Sequence, residues 1–281
     1  MTNGPGIAAI TFGLASAATW GIGDFCGGFA TRRVPAMVVT LLSQIVGVAL
    51  LIFLAVLYSE NFPSTRDIFW GGAAGIAGMV GLMSLYRAMA IGQVGIAAPI
   101  SAVLSATLPV IVGAMTQGLP TSIQLLGFFL ALISIWIISN PQGSQGRPAG
   151  LNLAILSGLG LGGFLILIAQ VQPNAIFWPL VIARLASISL LLILTITGKK
   201  FTLAVKNSLL PIILTGALDA GGNAFFVLSE QAGRLDIAGI LSSLYPVTTV
   251  ILAFIILKER MTKFQSLGVL LALIAVPLIA S

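Results

Sequence analysis

Long apolar runs follow one another along the whole chain, and each is bounded by charged residues, Pro or Asn. An α-helix needs about 20 residues to cross a bilayer, whereas a transmembrane strand needs about 10 alternating ones. The runs match the helical length, so they predict an all-α polytopic membrane protein with ten transmembrane helices. They lie near residues 5–26, 35–58, 69–91, 95–116, 123–139, 149–171, 176–197, 208–231, 237–257 and 264–280.

The composition agrees with a membrane environment. Hydrophobic residues make up 58% of the 281 residues and charged residues only 7%, against roughly 25% charged in an ordinary globular domain. The 13 Lys and Arg give a formal net charge of +6, but they are scattered through short loops and form no basic patch of the kind that binds nucleic acid. We therefore expect a lipid bilayer, and not nucleic acid, as a partner.

Several kinds of catalytic and metal chemistry are missing from the sequence. The chain has no His and a single Cys, Cys26, which excludes Ser-His-Asp triads, Cys–His pairs, HExxH zinc sites and an internal disulfide. No P-loop motif is present either. We expect no enzyme activity, no cofactor and no metal site. The first residues lack the basic stretch of a signal peptide, so we expect the first run to be retained as a span.

The chain repeats itself at an offset of 141 residues. One offset without gaps across several spans and a loop indicates two homologous halves. The sequence predicts a first five-helix repeat over residues 1–140, a polar Pro- and Gly-containing linker over 141–148 and a second repeat over 149–281. Because five is odd, the halves must enter the membrane in opposite orientations. Matching pairs include Gly92 with Gly233, Ile96 with Ile237, Ser101 with Ser242, Thr107 with Thr248, Thr121 with Thr262 and Gln124 with Gln265.

Three segments resemble a known family. Residues 85–92 (LYRAMAIG) and 98–101 (APIS), residues 244–247 (LYPV) with 257–262 (LKERMT) and 265–268 (QSLG), and the Trp20-Gly21 and Asp24-Phe25 pairs are similar to EamA-type members of the drug/metabolite transporter superfamily. The resemblance implies two inverted halves, with helices one to four and six to nine around a central cavity and helices five and ten outside it. The 117–120 loop departs from the family's usual Gly-Glu-Arg pattern.

The strongest site candidates are charges inside spans. Such charges are costly in a bilayer and mark functional sites by default. Asp219 lies halfway along the eighth span with Asn223 one turn later, while Gly78 occupies the equivalent position of the first half. We predict that Asp219 binds a substrate amine or a proton. Arg184, in the seventh span, either neutralises Asp219 or holds a substrate carboxylate, and a purely structural ion pair is an equal alternative.

Further candidates come from the ends and bends of spans. Asp24 and Arg87 lie late in their spans, so each either reaches the interface, where Arg87 would snorkel, or lines the cavity. Glu230, Arg234 and Asp236 are expected to be solvated. Pro99, Pro109 and Pro246 mark spans four and nine as gates or cavity walls, and glycines spaced by four residues predict close helix packing. The other predicted cavity residues are Trp20, Tyr86, Tyr245, Ser101 and Ser242, with Gln44 and Gln170 as further amides.

These observations predict a secondary active transporter of an amino acid or a related zwitterionic or cationic metabolite. Proton-coupled export by alternating access is the expected mechanism, with protons as a further partner. The alternative is a channel or a lipid-handling protein without carrier activity. We expect a multi-pass protein of a bacterial-type plasma or inner membrane. The family implies cytoplasmic termini, which we favour, although the loops after odd-numbered spans hold most of the Lys and Arg.

Overall fold

The computed structural model describes residues 6–91, 94–139, 150–196, 208–256, 258 and 262–281, and the predicted linker 141–148 lies outside these ranges. The described residues form helices and no strand. There are eleven helices: α1 (Ile7–Thr31), α2 (Ala36–Leu57), α3 (Thr65–Ile91), α4 (Val94–Gln117), α5 (Ser122–Ser139), α6 (Leu151–Ile168), α7 (Phe177–Ile196), α8 (Leu209–Ala232), α9 (Leu235–Ser242), α10 (Tyr245–Ile256) and α11 (Lys263–Ile279).

Six stretches are long and apolar enough to cross a membrane, and one of them runs through α9 and α10 together. Three shorter apolar helices lie in α5, α7 and α11. The remaining helix, α1, has 25 residues, which at 1.5 Å per residue is ample for a bilayer. The chain is therefore a helical multi-pass membrane protein, and the count of ten spans stays a prediction.

The ninth predicted span, residues 237–257, is interrupted. α9 ends at Ser242 and α10 begins at Tyr245, with Ser243 and Leu244 in a turn between them. Pro246 has no N–H, so it cannot bond to the carbonyl group four residues earlier. Pro109 lies within α4, and this helix is not interrupted. A proline breaks a membrane helix only where neighbouring groups do not satisfy the carbonyl that it leaves unbonded.

The helices repeat at the offset found in the sequence. α2 and α7 begin 141 residues apart, as do α5 and α11. The matching Thr and Gln residues form the same capping box in both halves: Gln124 N–H donates to Thr121 Oγ1 at 3.2 Å, and Gln265 N–H donates to Thr262 Oγ1 at 3.2 Å. The two halves therefore share their local structure as well as their sequence.

The halves are inverted with respect to each other. Tyr58, just after the end of α2, stacks on Phe177 at the start of α7 with ring centroids 5.6 Å apart, so these equivalent helices run antiparallel. The packing is also reciprocal, since α1 packs on α8 while its equivalent α6 packs on α3. This is the arrangement that places a binding site at the repeat interface.

Glycines bring the halves into close contact, as the four-residue spacing predicts. A Cβ atom added at Gly75 of α3 would collide with the carbonyl oxygen of Ala183 on α7. Its repeat equivalent, Gly216 of α8, makes the same approach to the carbonyl oxygen of Ser43 on α2. Small residues allow backbones to meet in this way where no hydrophobic force drives helices together.

Candidate functional site

A buried ion pair joins three helices at the centre of the bundle. Arg184 of α7 is 6% exposed, and its Nη2 donates to Oδ2 of Asp219 on α8 at 2.6 Å. Its Nη1 donates to Oε1 of Gln44 on α2 at 2.9 Å. Of the alternatives left open by the sequence, the structure therefore has Arg184 neutralising Asp219.

The surroundings of the pair explain its geometry. The guanidinium lies against α2 at Gly47, where an added Cβ would be 2.8 Å from Arg184 Cζ. Asn223 donates from Nδ2 to the backbone carbonyl of Asp219 at 2.7 Å, so this bond supports the α8 backbone and does not involve the carboxylate. The Asp219 side chain keeps 44% exposure. One partner of the pair is thus enclosed, and the other faces open space.

That open space is a cavity of about 170 Å³ between the two halves. Gly78 of α3 and its repeat equivalent Asp219 both line it, which places the cavity at the repeat interface. A second cavity of about 660 Å³ shares Met79 and Leu82 with the first and has a mostly apolar lining. It extends towards the start of α2 and the end of α3, where the exposed side chain of Arg87 lines it.

Asp24 of α1 lies beside the ion pair. Its neighbour Gly23 packs on α8, with an added Cβ 3.5 Å from the backbone nitrogen of Asp219. The Asp24 carboxylate is close enough to interact through its charge with Asp219 and with Tyr245, and its side chain is exposed. Among the described residues, the structure assigns it no hydrogen bond or salt bridge.

Two aromatic residues complete this region. Trp20 precedes Asp24 by one helical turn and packs its indole against Gly222 of α8. Tyr245, at the start of α10, meets Trp20 edge-on with ring centroids 6.3 Å apart. Asp24, Trp20 and Tyr245 therefore form a group next to Asp219, and the break in the ninth span positions the tyrosine.

The remaining candidates lie elsewhere. Ser101 is 1% exposed in the contact between α4 and α6, with its Oγ 2.6 Å from Ser157 Oγ. Ser242, at the end of α9, is fully buried, and its Oγ has no hydrogen-bond partner among the described residues. Neither serine is among the residues that line the two cavities, and the same is true of Asp24, Trp20 and Tyr245, which are set apart from the serines by their position next to Asp219. The Tyr86 side chain lies outside the described part of the structure.

The acidic and basic residues after α8 are less solvated than the sequence suggested. Asp236 is 0% exposed, and it accepts hydrogen bonds from the Arg234 guanidinium and from the backbone N–H of Ile237. Arg234 also donates to the carbonyl groups of Gln117 and Gly118 at the end of α4. The hydrogen bond from Arg234 to Asp236 raises the pKa of this guanidinium. The expectation of a solvated Asp236 was wrong, because the Arg234 guanidinium and the Ile237 N–H compensate its charge.

The sequence did not predict a polar network that lies near the end of α2, whereas the large cavity lies near its start. Glu60 follows α2, and its carboxylate accepts the backbone N–H groups of Ile176 and Phe177 at 2.8 Å each. An anion is stabilised at such a helix N-terminus. Asp67 accepts the N–H of Gln172 at 2.8 Å in the same region. Acidic residues beside predicted helix starts are the signal that could have identified this network.

The described residues contain no cluster of His, Cys, Asp or Glu that could hold a metal ion. A family model described as the EamA-like transporter family matches residues 7–140 and again residues 148–281. A crystal structure of another protein has the same fold, with a TM-score of 0.78 over 96% of this chain and 95% of that one, at 16% sequence identity. A comparison with curated proteins gives no match.

Proposed function

Because the chain belongs to the EamA-like transporter family, we propose that it is a secondary active transporter that exports a small metabolite by alternating access. The cargo is an amino acid or a related zwitterionic or cationic compound, and protons supply the driving force. Membership of the family itself makes the chain a membrane transporter that acts on a small molecule in a lipid bilayer.

One observation carries the proposal: a charged group faces a cavity at the interface of two inverted halves. Asp219 is 44% exposed there and pairs with the buried Arg184. A charge inside the membrane costs a few kcal/mol even on the mildest scale, roughly 2.5–3.5 kcal/mol. A purely structural contact would be served by apolar packing, as at the equivalent Gly78, so a binding or coupling role accounts better for the charge.

The two ends of the bundle differ in a way that supports alternating access. The large cavity extends towards the start of α2, while Glu60 ties the loop after α2 to the start of α7 at the opposite end. Opening the second end would require these hydrogen bonds to break. A cavity of about 470 Å³, lined by Glu60, Phe177 and Leu228 among others, also lies at this end, so the Glu60 end is tied by hydrogen bonds and is not filled by side chains.

Proton coupling is proposed for the Asp219–Arg184 pair. Protonation of Asp219 removes the charge that holds the Arg184 guanidinium, so the pair can link proton binding to a movement of α7 against α8. The test is the pH dependence of cargo efflux from proteoliposomes. Efflux that is driven by a pH gradient in the wild type and indifferent to it in Asp219→Asn supports the coupling, and a gradient response retained in the variant rejects it.

Cargo binding is tested first by ligand-induced thermal stabilisation of the purified protein. The panel comprises amino acids, nucleosides, polyamines and cationic drugs, and the variant is Asp219→Asn. Asp67→Asn is the control, because it makes the same chemical change at an Asp that lies outside the cavities, in the network near Gln172. Stabilisation lost in Asp219→Asn and retained in Asp67→Asn is the expected result. The same stabilisation in all three proteins would remove Asp219 from the site.

A channel or lipid-handling protein is the second candidate, favoured by the mostly apolar lining of the larger cavity. A channel gives flux that does not saturate, and a lipid-handling protein moves labelled lipids between leaflets. Flux that saturates with cargo concentration excludes the channel, and the absence of lipid movement excludes the other.

We further propose a bacterial-type plasma or inner membrane with the loops after even-numbered spans in the cytoplasm, as the family resemblance implies. Single-cysteine proteins test the orientation once Cys26 is replaced. A membrane-impermeant maleimide added to intact cells should label Arg33→Cys, after α1, and spare Leu119→Cys, after α4. The reverse labelling would mean that the positive loop charges decide the orientation.

A further inference from the structure

We propose that Asp24 binds the cationic group of the cargo and that the cargo is an organic amine with an apolar body, for which a carboxylate is not required. This inference rests on the proposed transport function and narrows its substrate class.

The first step concerns Arg184, the cation that lies at the centre of the site. Its Nη2 is committed to Asp219 at 2.6 Å and its Nη1 to Gln44 at 2.9 Å. The guanidinium is packed against Gly47 and only 6% of the residue is exposed. A cargo carboxylate would have to displace Asp219 from a bond between opposite charges. Arg184 is therefore poorly placed to bind the carboxylate of an acidic cargo.

The second step concerns charge balance. Two carboxylates, Asp24 and Asp219, lie within interaction range of each other, and Arg184 neutralises one of them. Asp24 has no cationic partner among the described residues, and it is exposed. Arg87 lines the larger cavity near the end of α3, and its exposed side chain can stay hydrated. A carboxylate without a cation inside a membrane protein is stabilised by any cation that reaches it.

The third step concerns the neighbours of Asp24. Trp20 lies one turn away on α1, and Tyr245 is close to both residues. Aromatic faces attract alkylammonium groups, most strongly in the case of Trp. A carboxylate flanked by two aromatic side chains is therefore suited to an ammonium group. Asp219, beside Asp24, lines the cavity of about 170 Å³, which shares Met79 and Leu82 with the cavity of about 660 Å³, so an apolar body bound through Asp24 would extend past Asp219 into this space.

The test uses three probes with the same apolar body and different charged groups: phenethylamine, phenylalanine and 3-phenylpropionate. Their dissociation constants are measured by titration calorimetry on the purified full-length protein, wild type and Asp24→Asn. We expect phenethylamine to bind and 3-phenylpropionate not to bind. Asp24→Asn should weaken phenethylamine roughly 10- to 100-fold, the loss expected for one charge-assisted hydrogen bond. Asp24→Glu, which keeps the charge, should retain most of the affinity.

Two controls separate binding from folding and from transport. Thermal unfolding should be unchanged in Asp24→Asn, because no described residue donates to this carboxylate, and Asp67→Asn should bind phenethylamine like the wild type. Failure of phenethylamine to bind the wild type, equal binding by Asp24→Asn, or preferred binding of 3-phenylpropionate would each overturn the inference. Asp24-dependent binding of phenethylamine without any counterflow in proteoliposomes would keep the site and reject the proposed transport function instead.

Discussion

Removing either partner of the Arg184–Asp219 pair should have unequal effects on stability. In Asp219→Ala the guanidinium keeps its charge but loses its counterion while only 6% of Arg184 is exposed. Breaking a buried pair in this way costs about 3–5 kcal/mol. Because Gln44 still accepts one hydrogen bond, we expect the lower end of this range, about 3 kcal/mol.

The opposite change leaves a better solvated group behind. In Arg184→Met the Asp219 carboxylate is unpaired, but its side chain is 44% exposed to the cavity and can be hydrated. The loss is then that of a hydrogen bond between charged groups, about 1.5–3 kcal/mol, and hydration brings it towards the lower value. Combining both substitutions removes the buried charge together with its partner. The double variant should therefore be more stable than Asp219→Ala alone.

The assay is the free energy of unfolding in mixed micelles, followed by tryptophan fluorescence for the wild type, the two single variants and the double variant. Residues in direct contact typically show a coupling free energy of about 0.5–3 kcal/mol. The double variant is more stable than Asp219→Ala only if the coupling exceeds the loss in Arg184→Met, so we expect the upper part of this range, about 1.5–3 kcal/mol. Additive losses in the double variant, or a larger loss in Arg184→Met than in Asp219→Ala, would refute the assignment of Arg184 as the enclosed partner and Asp219 as the open one.

Three further substitutions test the scaffold. Gly75→Ala should abolish the monodisperse protein peak in size-exclusion chromatography, because the added Cβ collides with the α7 backbone. The control Gly28→Ala has open space around it and should behave like the wild type. Equal yields of the two variants would contradict the close contact. Thr262→Ala should lower the free energy of unfolding by about 1 kcal/mol, because it removes a capping box. Thr121→Ala should lower it by a similar amount. A loss at one position alone would contradict equivalent caps in the two halves. Glu60→Gln should speed hydrogen exchange of the first amides of α7, since the anion at its N-terminus is gone; unchanged exchange would mean that Glu60 does not hold the start of α7.

Run length and repeat predicted most of the fold. The predicted run at 123–139 corresponds to α5 (Ser122–Ser139), and the run at 264–280 to α11 (Lys263–Ile279), because a continuous apolar stretch fixes both the type and the length of a membrane helix. The break at Ser243 and Leu244 was not predicted, since Pro246 only removes one donor and the surrounding helices decide whether the helix continues.

The site could be predicted as residues but not as contacts. Asp219 and Arg184 were evident as charges in apolar runs. The resemblance to EamA-type transporters is confirmed by the family model. The pairing of Asp219 with Arg184, and the role of Gln44, depend on how α2, α7 and α8 pack, which no local pattern records. Asp236 shows the same limit, because the hydrogen bond from Arg234 that makes its burial tolerable follows from the turn between α8 and α9.

Counterflow in proteoliposomes tests the central claim most directly. Vesicles containing the purified protein are loaded with unlabelled phenethylamine, and the entry of a trace of the labelled compound is followed, with Asp219→Asn vesicles in parallel. A carrier that alternates between two sides predicts a transient, saturable accumulation of label above equilibrium in the wild type, reduced in the variant. Label that only equilibrates, at a rate proportional to concentration and equal in both proteins, would contradict the account and point to a channel.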